Sequence, residues 1–413
     1  MKSIYLFNEA SRAAAYGIGT YIKQMVAAFS EKEDAILTVV ELHHNKKEFL
    51  VEFKDNTRYI YIPSSQANYR LTQEQKLCRY YQNVLFLLSS YIDTKTNNIF
   101  HFNFNQSRHM ISLLKEKYPL CKTIITIHYL NWCFMLKGNT SYFKTIVSKE
   151  EPQLINKDEK SIWNEFQSDK QLFHTVDQII CLSKYTYKLL HHTYKINKKK
   201  LNVIYNGLQD EAILLNENEQ KQKKQFFFFP EHAKIVLFVG RLDDIKGVDY
   251  IIKSFKAVLL DVPNAYLIIA GDGNYNRYLK EADTAWQRII FTGKLEKNRL
   301  YELYQIADVG IMLSFHEQCS YVAMEMLMHG TPLVITDSTG LSEVVEPKKN
   351  GYKINLIEKD DQVELPLEKC TKYISKILKS DKANWQKNCR QIYMDRYHLD
   401  VMHRQVLKLY TAL

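Results

Sequence analysis

Short apolar runs alternate with amphipathic stretches along most of this chain, and each pattern predicts one kind of element. A continuous apolar run is typical of a buried strand, and apolar positions three and four apart are typical of a helix. In the first half, the predicted strands are 4–7, 36–42, 59–62, 99–102, 122–127, 178–182 and 202–204. The predicted helices there are 20–29, 73–89, 110–117, 158–176 and 184–191. Such alternation predicts a mostly parallel sheet with helices on both faces.

The alternation starts again near Lys234. Here the predicted strands are 235–239, 265–270, 289–292, 309–313 and 332–336, with a helical pattern over 248–260. Two such units in 413 residues predict two Rossmann-like doubly wound α/β domains, each large enough for its own core. We place the N-terminal domain at 1–207, the C-terminal domain at 208–394 and a terminal amphipathic helix at 395–413. The wholly polar stretch 217–225 predicts a mobile segment just past the junction.

Composition narrows the range of partners. Hydrophobic residues make up 46% of the chain, as in ordinary globular proteins, and no apolar run approaches the roughly 20 residues of a membrane span. The seven cysteines are scattered without a Cys-x-x-Cys pair and the start has no signal-peptide pattern, so we expect a cytoplasmic protein. The net charge of +10 favours anionic partners. Because no nucleic-acid-binding motif is present, these are expected to be nucleoside diphosphates and, peripherally, the anionic inner face of a membrane.

A glycine-flanked loop, 240–247, joins the predicted strand 235–239 to the predicted helix 248–260. It contains Arg241 and Lys246. Arginine offers a planar fork of donors and lysine a point charge, and both suit a diphosphate at the N-terminus of a helix. Taken alone, the loop fits equally well with two solvated basic residues near a helix start.

Two carboxylates, Glu317 and Glu325, follow the predicted strand 309–313 and have seven residues between them. If the next helix starts near Ser320, Glu317 lies in the loop at the carboxyl end of the strand and Glu325 about two turns into the helix. Ligands bind at the carboxyl ends of strands in open α/β sheets, where a carboxylate can accept hydrogen bonds from vicinal hydroxyls. A glutamate on a helix is otherwise most often a solvated surface residue.

The first half offers further candidates at strand ends. His128 directly follows the predicted strand 122–127, where ligand contacts gather in such sheets. Gly17 and Gly19 follow the first strand after a long loop, 8–16, and would let the backbone approach a phosphate closely. A lone histidine is more often structural, and Gly-x-Gly lacks the third glycine of a dinucleotide fingerprint.

Several segments occur in the order that characterises one enzyme family, and together they are far more specific than any one alone. They are YGIGTY at 16–21, TIHY at 126–129, SKYT at 183–186, VIYNGL at 203–208, GRLDDIKG at 240–247, IIAGDG at 268–273 and FTGKL at 291–295. With Glu317 and Glu325, they resemble the retaining, nucleotide-sugar-dependent glycosyltransferases of the GT-B fold, the type called family 4 or glycosyl transferases group 1. The resemblance spans nearly the whole chain. It implies two Rossmann-like domains facing across a cleft, of which the N-terminal one would bind the acceptor and the C-terminal one the nucleotide-sugar donor. It also implies a C-terminal helix that crosses back to the N-terminal domain.

The resemblance also implies a role for each matching residue. The expected catalytic residues are His128, Arg241, Lys246 and Glu317. His128 would contact the donor sugar, and Glu317 would lie near it. Arg241 and Lys246 would stabilise the leaving diphosphate. Glu325 would hold the ribose hydroxyls. The expected nucleotide-sugar-binding residues are Gly17, Gly19, Gly240, Arg241, Lys246, Gly271, Gln318, Cys319, Ser320 and Glu325.

The implied activity is that of a hexosyltransferase-type enzyme that moves a sugar, with retention, to an unidentified acceptor in glycan, glycolipid or glycoconjugate biosynthesis. Its co-substrate would be a nucleoside diphosphate sugar, with no other cofactor. We expect metal independence, because the cations can neutralise the diphosphate and no Asp-x-Asp motif is present.

The chain also departs from the family pattern. Gln318, Cys319 and Ser320 stand where the family usually has glycine soon after the first glutamate, which leaves the donor sugar open. Tyr129 replaces the common aspartate after His128, and 14–15 are alanines where a glycine pair is frequent. Two alternative functions stay open: a GT-B sugar-nucleotide epimerase and a non-catalytic nucleotide-sugar-binding subunit. A two-carboxylate glycosidase mechanism is disfavoured, since the nucleotide would occupy Glu325.

Overall fold

A computed structural model describes residues 2–10, 17–29, 35–64, 71–150 and 156–413. Contacts between residues divide the chain into two compact units. The first comprises Met1–Leu130, Ile146–Gly207 and Met402–Leu413, and the second comprises Asn131–Thr145 and Leu208–Val401. The chain passes from the first unit to the second between Gly207 and Leu208, and it returns to the first at Met402. A short segment, Asn131–Thr145, unexpectedly clusters with the second unit.

The first unit is built on a sheet whose strands lie close to the predicted ones. They are β1 (Lys2–Glu9), β2 (Ala35–His44), β3 (Leu50–Lys54), β4 (Thr57–Pro63), β5 (Asn97–Phe102), β6 (Lys122–Ile127), β7 (Gln178–Cys181) and β8 (Leu201–Val203). Their order is β3-β4-β2-β1-β5-β6-β7-β8, and the pairs are parallel except β3 with β4. Strand β3 was not predicted, because its side chains are half-buried or exposed and its apolar run is short.

Helices cover this sheet. They are α1 (Gly17–Phe29), α2 (Gln73–Leu88), α3 (Arg108–Lys117), α6 (Lys157–Thr175), α7 (Lys184–His192) and the final turns of α15 (Leu399–Ala412). The buried face of α1 contains Ile18, Ile22 and Met25, which follow the helical period. Residues of α15 from Met402 onward pack in the first unit: Lys2 donates to the carbonyl oxygen of Tyr410 at 2.8 Å.

The expected glycine loop is corrected in part by the structure. Gly17 and Gly19 lie in the first turn of α1 rather than in a loop. Residues 11–16, with the alanines at 14–15, lie outside the described part of the chain.

The second unit is a separate α/β unit with a fully parallel six-stranded sheet. Its strands are β9 (Lys234–Val239), β10 (Ala265–Ala270), β11 (Ile289–Gly293), β12 (Val309–Met312), β13 (Leu333–Thr336) and β14 (Gly351–Ile354), in the order β11-β10-β9-β12-β13-β14. A small antiparallel pair, β15 (Ile357–Lys359) and β16 (Gln362–Glu364), stands apart. The helices are α4 (Asn131–Met135), α8 (Glu217–Phe226), α9 (Val248–Asp261), α10 (Tyr275–Ala282), α11 (Lys297–Ile306), α12 (Tyr321–Met328), α13 (Leu367–Leu378) and α14 (Lys382–Arg396). Helix α5 (Thr140–Ser148) begins in this unit and ends in the first.

The prediction of a mobile polar segment at 217–225 was wrong, because this stretch forms helix α8. Asn216 and Glu219 form a capping box at its N-terminus, in which each side chain accepts from the other residue's backbone N–H. Lys224 is buried and donates to Asp308 at 2.9 Å, and Asp308 also accepts from the N–H of Ile235. The helix is thus held by a cap and a buried ion pair rather than by an apolar stripe.

We expect Asn216→Ala to destabilise α8 by about 1 kcal/mol, since the helix loses its cap bond. Amide hydrogen exchange over residues 217–226 should therefore be about fivefold faster than in the parent protein. Asn218→Ala is the matched control, because Asn218 is exposed inside the helix and makes no cap bond. Exchange at the unfolded rate in the parent protein would instead support a mobile segment.

Candidate functional site

The loop after β9 lies at the carboxyl edge of the second sheet, against the loop after β10. Gly240 donates its N–H to the carbonyl oxygen of Ala270 at 3.0 Å. A Cβ on Gly271 would lie only 1.7 Å from the carbonyl oxygen of Gly240, so the close approach of the two strand ends requires glycine there. Packing therefore explains Gly271, and the role of Gly240 and Gly271 in nucleotide binding stays a prediction.

The same loop also packs on the end of β12, which brings together two segments far apart in the sequence. Gly247 has a φ of +66°, and a Cβ there would lie 2.5 Å from the carbonyl oxygen of Leu313. Phe315 donates its N–H to the carbonyl oxygen of Ile245 at 2.8 Å. As a result, the ammonium group of Lys246 contacts the carboxylate of Glu317. Both side chains retain some exposure, at 18% and 17%, so the pair is accessible to a ligand.

The backbone of Glu317 is fixed by hydrogen bonds from a neighbouring loop. Thr339 accepts from the N–H of Glu317 at 3.1 Å through Oγ1 and donates to its carbonyl oxygen at 2.8 Å. Gly340 donates its N–H to the same carbonyl oxygen at 2.9 Å. A Cβ on Gly340 would lie 1.9 Å from the carbonyl oxygen of Gln318, so this contact depends on glycine. Such support keeps the carboxylate in one place.

Arg241 is placed differently from Lys246. Its guanidinium forms an ion pair with Asp243, at 3.0 Å, within the same loop. Both side chains are about one-third exposed, which leaves the guanidinium open to solvent. The two expected cations thus share one strand-to-helix loop. Of these two side chains, only Lys246 forms an ion pair with Glu317 in this structure.

Helix α12 begins where the sequence placed it, and Ser320 is its N-cap residue. The hydroxyl of Ser320 accepts from the N–H of Ala323 at 3.4 Å. The serine at a position commonly glycine in the family therefore has a structural explanation. Gln318 is buried and Cys319 is partly exposed in the loop just before it.

Glu325 lies on this helix, and one of its carboxylate oxygens is already engaged. The buried hydroxyl of Tyr304 donates to Oε2 of Glu325 at 2.8 Å. Burial raises the pKa of Glu325 to about 7, and the bond from Tyr304 partly opposes that rise. The tyrosine orients the carboxylate and leaves Oε1 for another donor. Sequence reasoning did not identify Tyr304, because it lies on α11 and nothing in its local pattern marks it.

The segment Asn131–Thr145 contributes to the surroundings of Glu317, which the sequence did not predict. Phe134 contacts the ring of His316 edge-on, with centroids 5.4 Å apart. Gly138 has a φ of +73°, and a Cβ there would lie 2.3 Å from the carbonyl oxygen of Phe315. Burial lowers the pKa of His316 to about 4, so this ring is neutral. The segment therefore packs against the residues just before Glu317.

In the first unit, His128 is held by a specific hydrogen bond. Its Nε2 lies 3.0 Å from Oδ1 of Asn103, while Nδ2 of Asn103 donates to the carbonyl oxygen of Phe7. Because that amide nitrogen is already a donor, Oδ1 accepts, and Nε2 of His128 carries the proton. Burial lowers the pKa of His128 to about 3, so the ring is neutral and Nδ1 is an acceptor.

A buried polar network lies beside His128. The ring of Tyr21 contacts His128 edge-on at 4.8 Å, and its hydroxyl lies 3.1 Å from Oγ1 of Thr126. Thr126 also bonds Nε2 of His101 at 2.6 Å, and Nδ1 of His101 contacts the hydroxyl of Tyr410 on α15. The C-terminal helix therefore helps to support the strand end that bears His128.

Within the ranges given above, no group of three or more His, Cys, Asp or Glu side chains could hold a metal ion. Among the same residues, no helix combines the length and apolar character needed to cross a membrane.

Comparison with known proteins identifies the second unit. Residues 219–390 match the model of the family described as glycosyl transferases group 1. This part of the chain belongs to that family. The group 1 segment contains the Lys246–Glu317 pair, Arg241 and Glu325.

This chain is similar to the uncharacterized glycosyltransferase MJ1607 of Methanocaldococcus jannaschii. The two are 30% identical over 201 residues, which cover 45% of this chain and 51% of that protein. The chain thus spans about half the length of such curated relatives.

Solved structures resemble the whole chain. Sucrose-phosphate synthase of Thermosynechococcus elongatus has a TM-score of 0.75 at 19% identity and covers 100% of this chain and 99% of its own. Anabaena HepE, solved in complex with UDP, has a TM-score of 0.71 at 13% identity with 100% of both chains covered. At these identities the likeness shows the fold alone. This chain has the two-domain α/β architecture of the GT-B enzymes.

Proposed function

We propose that this protein transfers a sugar from a nucleoside diphosphate sugar to an acceptor hydroxyl, with retention of the anomeric configuration. The observation that carries the proposal is the contact between Lys246 and Glu317 at the carboxyl edge of a group 1 domain. A cation and a carboxylate side by side suit the two charges of this reaction. Negative charge develops on the leaving diphosphate, and positive charge develops at the anomeric carbon.

In this mechanism, Lys246 and Arg241 stabilise the leaving diphosphate. Preorganised positive groups act where charge develops, and they need no reorganisation at the moment of bond cleavage. Glu317 lies beside Lys246, and we assign it to the donor sugar near the anomeric centre. Free Oε1 of Glu325 accepts from a ribose hydroxyl, and Nδ1 of His128 accepts from a hydroxyl of the donor sugar.

The first donor to test is a UDP-sugar, because the structurally similar HepE was solved with UDP and with UDP-glucose. UDP-, GDP-, ADP- and TDP-sugars should be incubated with the protein without acceptor, and the released nucleotide measured. We expect slow release of UDP. An epimerised sugar nucleotide would support the epimerase alternative, and binding without turnover under any condition would support a non-catalytic subunit.

We expect Glu325→Ala to weaken UDP binding by about 1.5–3 kcal/mol for each ribose hydrogen bond lost, which is roughly 10- to 150-fold. Isothermal titration calorimetry measures this effect directly. Glu368→Ala, which changes an exposed glutamate on α13, is the control and should bind UDP normally. Unchanged affinity in a folded Glu325→Ala protein would refute the assignment.

The pKa of Glu325 gives the same site a pH dependence. Only the ionised carboxylate is a pure acceptor, so UDP binding favours ionised Glu325 and lowers its pKa below the value of about 7 in the free protein. Affinity should therefore fall as the pH drops through 7, and binding near this pH should release a proton. Glu325→Gln should remove this part of the pH dependence, while titration of the diphosphate itself is common to both proteins.

Activity should persist in excess EDTA, because Lys246 and Arg241 supply the positive charge that a metal would otherwise provide. Release of the nucleoside diphosphate is measured with and without the chelator. Complete loss of activity that Mn²⁺ or Mg²⁺ restores would show that a metal ion carries the leaving group instead.

A further inference from the structure

The antiparallel hairpin of β15 and β16 lies against the segment Asn131–Thr145 and is not used by any step described so far. Its residues are exposed, apart from the half-buried Val363. Over the described residues, the apolar core of the second unit extends to Leu356 and Leu365 on either side of the hairpin and includes none of 357–364. The hairpin is therefore not part of that core, and its role depends on what it contacts.

One carboxylate of the hairpin binds the start of α5. Glu358 accepts from the backbone N–H groups of Thr140 and Ser141, at 3.2 and 3.1 Å. These two residues form the first turn of α5, where backbone N–H groups have no partner within the helix. A negative charge at a helix N-terminus also interacts favourably with the helix dipole. Glu358 thus caps α5 from a distant part of the sequence.

A buried asparagine makes the second connection between the hairpin and the segment. The Nδ2 atom of Asn139 donates to the carbonyl oxygens of Asp360 and Gln362, at 2.8 and 3.4 Å. Its Oδ1 atom accepts from the N–H of Tyr142 at 2.9 Å, so the same side chain also caps α5. The two ends of the amide therefore have separate tasks: the oxygen caps the helix, and the nitrogen binds the hairpin.

The residues next to Asn139 pack on the loop that bears Glu317. A Cβ on Gly138 would lie 2.3 Å from the carbonyl oxygen of Phe315, so the two backbones touch. The ammonium group of Lys137 lies 5.7 Å from the centre of the Phe315 ring. Because Gly138 directly precedes Asn139, the hairpin holds in place the residue that packs on this loop.

The contact continues from this loop to the backbone of Glu317. Phe134 packs edge-on against His316, and Nδ1 of His316 lies 3.2 Å from Oγ1 of Thr339. Thr339 in turn bonds both the N–H and the carbonyl oxygen of Glu317. A displaced segment would therefore disturb Glu317 through residues that touch it. Misplacement of a reacting group by about 1 Å, caused by a distant change, can lower a rate by roughly 100-fold.

We propose that the hairpin of β15 and β16 is a clip that positions Glu317 for the reaction. Glu358 and Asn139 are the positioning residues: they fasten the segment Asn131–Thr145 on the loop that bears Glu317. Both act through Gly138 and this loop, and not on the substrate. The assignment rests on the proposed glycosyl transfer, and it identifies residues that set the rate of that reaction from outside the donor site.

The first test is Asn139→Ser, which separates the two tasks of this side chain. Serine caps a helix as well as asparagine does, but it is too short to reach the hairpin. We expect kcat for the release of UDP from UDP-glucose to fall about 10- to 100-fold, while calorimetry gives the parent Kd for UDP. Glu364→Gln is the matched control, because Glu364 lies on the same hairpin and pairs with Lys359 instead of the segment.

The second test removes the clip without changing the segment. Residues 358–363 are deleted, which joins Ile357 to Glu364; the two are cross-strand partners, with Cα atoms about 5 Å apart. We expect the same fall in kcat, with the parent Kd for UDP. Amide hydrogen exchange at Phe315 and Glu317 should be about fivefold faster than in the parent protein, because the loop loses its outer support.

Three outcomes would overturn the proposal: the parent kcat in both variants, a loss of UDP affinity as large as the loss of kcat, or unchanged exchange at Phe315 and Glu317 after the deletion. UDP release by the parent protein is measured separately. Absence of release from every sugar nucleotide counts against glycosyl transfer, whereas hydrogen exchange in the loop still reports the clip. The two failures are therefore distinguishable.

Discussion

Replacing Lys246 with methionine should lower kcat for nucleoside diphosphate release by about 10²–10³-fold, the usual loss when one preorganised group is removed from a developing charge. Methionine keeps an apolar stem of similar length but has no charge. The substitution removes the partner of Glu317 and leaves the ion pair between Arg241 and Asp243 unchanged. Lys253→Met is the matched control, because Lys253 is exposed on the next helix, α9.

A second comparison separates two ways in which Lys246 could act. If Lys246 only holds Glu317 in position, Lys246→Met should not lower kcat further once Glu317 is replaced by glutamine. If Lys246 acts on the diphosphate, Lys246→Met should still lower kcat in the protein that carries Glu317→Gln. A double-mutant cycle on kcat measures the difference. A parent-like rate for Lys246→Met alone would remove it from the mechanism altogether.

The sequence predicted most of the framework of both units, because nearly all strands of the two large sheets carry a continuous apolar run; β3 and β14 do not and were missed. The runs at 122–127 and 265–270 coincide with β6 and β10, whose side chains are nearly all buried. It also predicted that Lys246 and Glu317 serve one site, because both follow strands at their carboxyl ends. The structure adds that they touch, through Gly247 and the end of β12.

The polar helix α8 was missed because the prediction relied on apolar periodicity. Its one buried residue is Lys224, which pairs with Asp308 far along the chain. The capping box of Asn216 and Glu219 was a readable signal of a helix start, since its two residues stand three apart. Local polarity alone therefore does not separate a mobile segment from a helix held by buried charge.

Partners of the candidate residues were harder to predict than the residues themselves. Tyr304 bonds Glu325 from another helix, and no local pattern marks such a tyrosine. Asn103 is different, because it directly follows β5 at its carboxyl end, as His128 follows β6. The rule that singled out His128 would have identified Asn103 had it been applied to the neighbouring strand.

We expect His128→Ala to lower the rate of sugar transfer by about 10²-fold while UDP affinity stays at the parent value. The histidine is assigned to the sugar and not to the nucleotide, which is why the two measurements should separate. Calorimetry with UDP and single-turnover transfer test this division. His109→Ala, on α3, is the matched control. A loss of UDP affinity in His128→Ala would show that the division of roles is wrong.

The protonation state of His128 sharpens this prediction. Asn103 fixes the proton on Nε2, and burial lowers the pKa to about 3, so the ring should act as a neutral acceptor through Nδ1. Between about pH 5 and 8, the transfer rates of the parent protein and of His128→Ala should then have the same pH dependence, because His128 does not titrate in this range. Asn103→Leu removes the acceptor for the Nε2 proton, and ¹⁵N NMR of the ring should show a mixture of tautomers together with a lower kcat. A rate that rises on acidification, and only when His128 is present, would mean that the ring works as a protonated donor.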